Sequence, residues 1–99
     1  MNYERFIAIG NATKDAELRK ATEGETTFTT FTLAVNKGQD QASFYPVVIF
    51  GPTAEAASKA IKKGNKVLVE GTLNLRTYRT KEGEPRTEVQ VQADQWRKL

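Results

Sequence analysis

The chain has 99 residues, a formal charge of +3, and neither cysteine nor histidine. This length supports one modest core, and the missing residue types exclude disulfides, thiolate metal sites, the commonest catalytic base and the near-neutral pH switch. No apolar run approaches membrane-spanning length and the start, Met1-Asn2-Tyr3-Glu4-Arg5-Phe6, is unlike a secretory signal, so a soluble intracellular protein is expected.

In chain order, Arg5-Phe6-Ile7-Ala8-Ile9-Gly10 reads as a first strand ending at a bend-permitting glycine. Asn11 to Gly24 reads as a charged connection. Thr26 to Asn36 suits a long second strand, with Phe31, Leu33 and Val35 on one side and Thr30, Thr32 and Ala34 on the other. Lys37 to Ala42 is a polar hairpin connection, and a third strand covers about 43–50. The period then changes. Gly51-Pro52 punctuates the chain, and Thr53 to Lys63 carries Ala54, Ala57 and Ile61 at helical spacing before Gly64, which predicts one helix. Strands resume over 66–79, with a bend expected at Gly71, and over about 86–94, separated by the turn residues Thr80 to Pro85. The expected fold is all-β: a five-stranded, partly open Greek-key barrel with one helix between the third and fourth strands.

Phe44 and Phe50 have equal parity in Phe44-Tyr45-Pro46-Val47-Val48-Ile49-Phe50, which places both rings on one strand face, roughly 20 Å apart when extended. Arg76 and Tyr78 form a second pair of equal parity. Rings that stack bases, set among cations that meet phosphates, are what sequence-tolerant binding of single-stranded nucleic acid requires. The competing reading makes these rings ordinary core or subunit packing. Phe44, Phe50 and Tyr78 are the candidate stacking residues; Arg5, Lys37, Lys62, Arg76, Arg79 and Arg86 are candidate phosphate contacts, each to be weighed against a plain solvated charge. Trp96 suits packing of the chain end or an interface.

Several pieces, in order and spacing, resemble the bacterial-type single-stranded DNA-binding protein (SSB) family: Phe6-Ile7-Ala8-Ile9-Gly10-Asn11, Asp15-Ala16-Glu17-Leu18-Arg19, Phe31-Thr32-Leu33-Ala34-Val35-Asn36 and Pro46-Val47-Val48-Ile49-Phe50-Gly51. The resemblance continues through Val67-Leu68-Val69-Glu70-Gly71, Arg76-Thr77-Tyr78, Thr87-Glu88-Val89 and Ala93-Asp94. It implies an OB-fold and binding and protection of single-stranded DNA in replication, recombination, repair or uptake. Family stacking positions map by this resemblance onto Phe44, Phe50 and Tyr78. Two departures stand out. Lys37-Gly38-Gln39 occupies a region where many members carry a further binding aromatic, and phenylalanines stand where tryptophan is frequent.

The resemblance also implies a homotetramer, with a homodimer as its rival, and a cytoplasmic or nucleoid-associated location without membrane contact. Residues 1–99 are expected to form a single single-stranded DNA-binding domain. The family's acidic tail has no counterpart before the basic close Trp96-Arg97-Lys98-Leu99, so tail-mediated recruitment is not expected. RNA is an alternative ligand, since stacking alone does not distinguish the sugars. The alternative function is a tail-less OB-fold accessory that docks replication-restart or recombination partners, with DNA binding secondary. No enzyme activity is expected: catalytic residues, cofactor and metal are all assigned as none, because the carboxylates form no convincing acid/base pair or ligand cluster and no phosphate-cradling Gly-Lys-Ser/Thr motif occurs.

Overall fold

A computed structural model describes residues 2–21, 24 and 26–99. The described elements follow in the order β1 (Phe6–Ala12), β2 (Glu17–Lys20), β3 (Thr27–Asn36), β4 (Ala42–Phe50), α1 (Ala54–Ala60), β5 (Lys66–Arg79) and β6 (Pro85–Lys98). The expected five-stranded barrel is thereby corrected to a six-stranded mixed sheet, and the helix lies between the fourth and fifth strands rather than the third and fourth. The unforeseen strand is β2, within the segment read as a connection; Thr22 and Glu23 of that segment lie outside the described residues. All four residues of β2 are exposed, so it has no buried side to announce it. It is extended because β3 offers it an edge, from Glu17↔Thr30 to Lys20↔Thr27.

The strand order is β1-β5-β6-β4-β3-β2. Every pairing is antiparallel except that between β4 and β6. β1 also meets β3 through Asn11↔Ala34 and Ala12↔Leu33, which curls the sheet around one core. Alternation fills that core: Phe31 and Leu33 from β3, Val47 and Ile49 from β4, Val67 and Val69 from β5, and Val91 and Ala93 from β6 are all buried. The parity expected for Phe31 and Leu33 is the one observed, with Val35 partly buried behind them.

The helix is shorter than its sequence pattern, ending at Ala60 with Ile61 already extended. Ala54, Ala57 and Ile61 are nevertheless fully buried, so the apolar stripe reaches the core even though its last member leaves the helix. The hydroxyl of buried Thr29 donates to the Ala54 carbonyl, fastening β3 to the first helical turn. The turn after the helix is fastened too, with the Gly64 amide donating to Ala12 and the Lys63 amide to the Asp15 carboxylate.

Two glycines mark places where backbones approach too closely for a side chain. At Gly10, where β1 turns from β5 toward β3, an added Cβ would overlap the Ala34 carbonyl. At Gly71 it would overlap the Gln92 carbonyl and lie 2.8 Å from Ala93 Cα. The bend expected at Gly71 is found as a bulge: Glu70 pairs with Gln95 and Gly71 with Ala93, leaving Asp94 as the additional residue of β6. Because backbone atoms cannot step aside as a side-chain end can, Gly71→Ala is expected to destabilise the fold by about 1–3 kcal/mol in urea unfolding.

Candidate nucleic-acid interface

Register brings the two candidate pairs together. On β4 the parity of Phe44, Pro46 and Phe50 faces away from the core, and these three are exposed; Phe44 is 61% and Phe50 43% accessible. Val48 shares that parity but is buried, giving the outer face an apolar floor between the rings. The β4–β6 pairing Val48↔Gln92 carries the same outer face onto Gln92, Gln90, Glu88 and Arg86. From β6 it passes to β5 through Gln90↔Asn74, Arg76↔Glu88 and Tyr78↔Arg86. Phe44, Phe50, Arg76, Tyr78 and Arg86 therefore belong to one face. Continuing the register by parity sets Phe44 level with Glu88 and Arg76, two strand spacings or about 10 Å away. Phe44 and Glu88 indeed line one shallow cavity.

Local contacts decide how available each group is. The Arg76 guanidinium carbon lies 5.6 Å from the centre of the half-buried Tyr78 ring, a cation–π arrangement that holds charge and ring together. Arg86 reaches Glu84 at 3.2 Å, an exposed pair of the kind worth little. Phe50 leans on Phe28 of β3, ring centres 5.5 Å apart, so part of its surface belongs to packing. Phe44 has the freer ring. Tyr45, of opposite parity, packs instead on Phe6 at 5.0 Å.

The remaining candidates lie elsewhere. Lys37 is exposed at the start of the β3–β4 turn, beyond the Phe44 end of the face. Arg79 has the opposite parity to Tyr78 and donates to the Gly83 carbonyl at 2.9 Å, closing the β5–β6 turn. Lys62 belongs to the turn after α1, whose backbone is tied to Asn65 and which is fastened to β1. Arg5 is engaged by two carboxylates: it donates to both Asp94 oxygens at 2.7 Å and to Glu70 at 3.2 Å. Its charge is thus largely answered within the fold.

Sequence reasoning missed Phe28, which shares the outer face through Phe28↔Phe50, and Arg19, set opposite Phe28 on β2. The opposite parity of Phe28 to Thr29 and Phe31 was the available signal for the first. Arg19 had none without β2.

The fold and this face define a small β-sheet binding module, with its aromatic and cationic groups on an open surface. The chain belongs to the single-strand binding protein family, whose family model matches residues 3–99. It is 36% identical over 96 residues to a single-stranded DNA-binding protein of Clostridium tetani, covering 92% of this chain and 66% of that one. Similar relatives include single-stranded DNA-binding protein 2 of Clostridium acetobutylicum (36% identical, 92% of this chain and 72% of the relative) and single-stranded DNA-binding protein 1 of Staphylococcus aureus (36% identical, 91% and 61%). The chain thus spans about two thirds of the length of these curated relatives. No described helix is long and apolar enough to cross a membrane, and among the described residues no group of three or more acidic, His or Cys side chains could hold a metal ion.

The Arg5 clamp has a pH consequence. Hydrogen bonding to Arg5 holds the Asp94 carboxyl below the ordinary carboxylate range, and the same bonds raise Arg5, which stays charged throughout. A carboxylate with a depressed folded pKa stabilises the fold fully above its unfolded value of about 4, and that stabilisation is lost as pH falls through the folded value. Thermal unfolding of the native chain and Asp94→Asn should therefore differ at pH 7, with the variant less stable, and converge well below pH 4.

Proposed function

We propose that this chain binds single-stranded DNA without sequence preference, as a single domain over residues 1–99, and protects it during replication, recombination, repair or uptake. One observation carries the reading: in a member of the single-strand binding protein family, Phe44, Phe50 and Tyr78 share an exposed sheet face with Arg76 and Arg86. Bases stack on the rings, and the guanidinium groups with Lys37 meet the phosphates. A π-face is common to all bases, so stacking is tolerant of sequence. No bond is made or broken, and no residue is given a catalytic role.

The test is a titration of fluorescent oligo-dT, with an equally long duplex as comparison. Selective binding to the single strand is expected, with log K falling by about 0.7 per decade of salt for each phosphate engaged, hence a slope of about −2 for three contacts. Phe44→Ala should lose about 1–3 kcal/mol of binding while leaving urea stability nearly unchanged. Phe50→Ala should lower both, because its ring also packs on Phe28. Absence of binding by well-folded protein would reject the reading and bring forward the accessory role of docking replication-restart or recombination partners. A parallel titration with oligo-rU decides whether RNA is also a ligand.

We further propose that the chain assembles through β1, as a homotetramer with a homodimer as the rival state. The stretch Phe6–Gly10 pairs with β5 on one side, and β3 reaches β1 only at Asn11 and Ala12. Ile7 and Ile9 stand out from the same stretch at 62% and 50% accessibility. An open strand edge beside apolar side chains suits pairing with its own copy. The double substitution Ile7→Lys/Ile9→Lys should reduce the mass seen in sedimentation equilibrium; an unchanged mass would remove β1 from the interface.

A further inference from the structure

We propose that Gln90 and Gln92 make the interface indifferent to base identity, their carboxamides hydrogen-bonding the edges of bases held between Phe44 and Phe50. The inference rests on the single-strand reading above and adds to it the groups that meet the base edges.

Placement comes first. Both glutamines are exposed and share the outward parity of β6, about 7 Å apart along the strand. Gln90 lines the shallow cavity that contains Phe44, whereas Gln92 lines the one beside Phe50, about 440 Å³ in volume, together with Thr72. Each amide is therefore next to one of the two rings.

Charge gives the second argument. Between Glu88 and Asp94 the outward positions of β6 are the two glutamines, flanked by Thr72 and Asn74 on β5 and by Pro46 and Val48 on β4. All are neutral. The cations stand at the margins, Arg76 toward one end and, beyond β3, Arg19 on β2, whose charge is shared with Glu17 at 2.6 Å in an exposed pair. A strand lying here finds partners for its phosphates at the rim and uncharged polar groups along the floor, so its bases turn inward.

Chemistry supplies the third. A carboxamide offers donors and an acceptor. Cytosine presents an N4 amine donor where thymine presents its O4 acceptor, and either can be met by reorienting the same side chain. A carboxylate at this place accepts only, and so would discriminate.

The experiment compares 12-residue oligo-dC and oligo-dT against the native chain, Gln90→Glu, Gln92→Glu and the corresponding Met variants. General repulsion between a new carboxylate and phosphate cancels in the dC:dT affinity ratio. That ratio should rise about three- to tenfold in the Glu variants, the worth of one hydrogen bond gained or lost. The Met variants should weaken both oligomers about equally. A ratio unchanged in both Glu variants, with the native chain still binding both oligomers, overturns the role of the glutamines and leaves the single-strand reading standing. Failure of the native chain to bind either oligomer overturns both.

Discussion

Three residue pairs between β4 and β6 (Val47↔Val91, Val48↔Gln92 and Ile49↔Ala93) join the two halves of the sheet. On one side lie β3 and β2, on the other β5 and β1. Each half is held by antiparallel pairs, and this short parallel seam, with the two β1–β3 pairs Asn11↔Ala34 and Ala12↔Leu33 at the other closure, determines which face of one continues into which face of the other. A slip of one residue would keep the strands and reverse the side on which the rings meet the guanidinium groups. The seam is secured by burial. Val47, Ile49, Val91 and Ala93 are all in the core, so a slip of one residue would turn one strand's buried pair, Val47 and Ile49 or Val91 and Ala93, out of it.

The ends of the seam are fixed differently. At one end the bulge at Glu70/Gly71 sets Asp94 out of the ladder, and Arg5 binds that same residue along with Glu70. The clamp thus ties the start of β1, a bend in β5 and the bulge of β6 into one group, beside the cavity that Phe50 and Asp94 line. At the other end the β5–β6 hairpin continues past the core, which leaves Leu75 67% accessible while Arg76 and Tyr78 remain on the outer side. The face is firm near Phe50 and projects near Tyr78. This division accounts for the two kinds of aromatic present: a ring partly used for packing at the anchored end, and a free ring, Phe44, level with the projecting hairpin.

Much of this was legible in the chain. Parity alone set Phe44 with Phe50 and Arg76 with Tyr78, and the period change after Gly51 marked the helix. Family resemblance was carried by local segments whose order survives in the fold. What was not legible has physical causes. β2 has no buried residue, so no alternation betrays it, and its omission displaced the helix by one strand in the count. Ile61 keeps helical spacing while leaving the helix, because tertiary burial rather than local geometry holds it. The seam itself pairs residues more than forty positions apart, and no local pattern specifies such a register. Arg5 looked like a phosphate contact for the same reason: its two carboxylate partners are 65 and 89 residues away.

The pairing of β1 with β5 also has a meaning in time. Phe6 to Asn11 lie against Lys66 to Gly71, so the first strand made has its longest partner only after about sixty further residues. At synthesis rates of roughly 5–20 residues per second, that interval is about 3–12 s. Throughout it, Ile7, Ile9 and the backbone donors of β1 are without their final neighbour. The first pairing open to the emerging chain is that of β2 with β3, and the β3–β4 hairpin that follows already carries both phenylalanines of the proposed binding face. The strand proposed to join subunits therefore settles late, when β5 is complete, and assembly waits upon the second half of the chain.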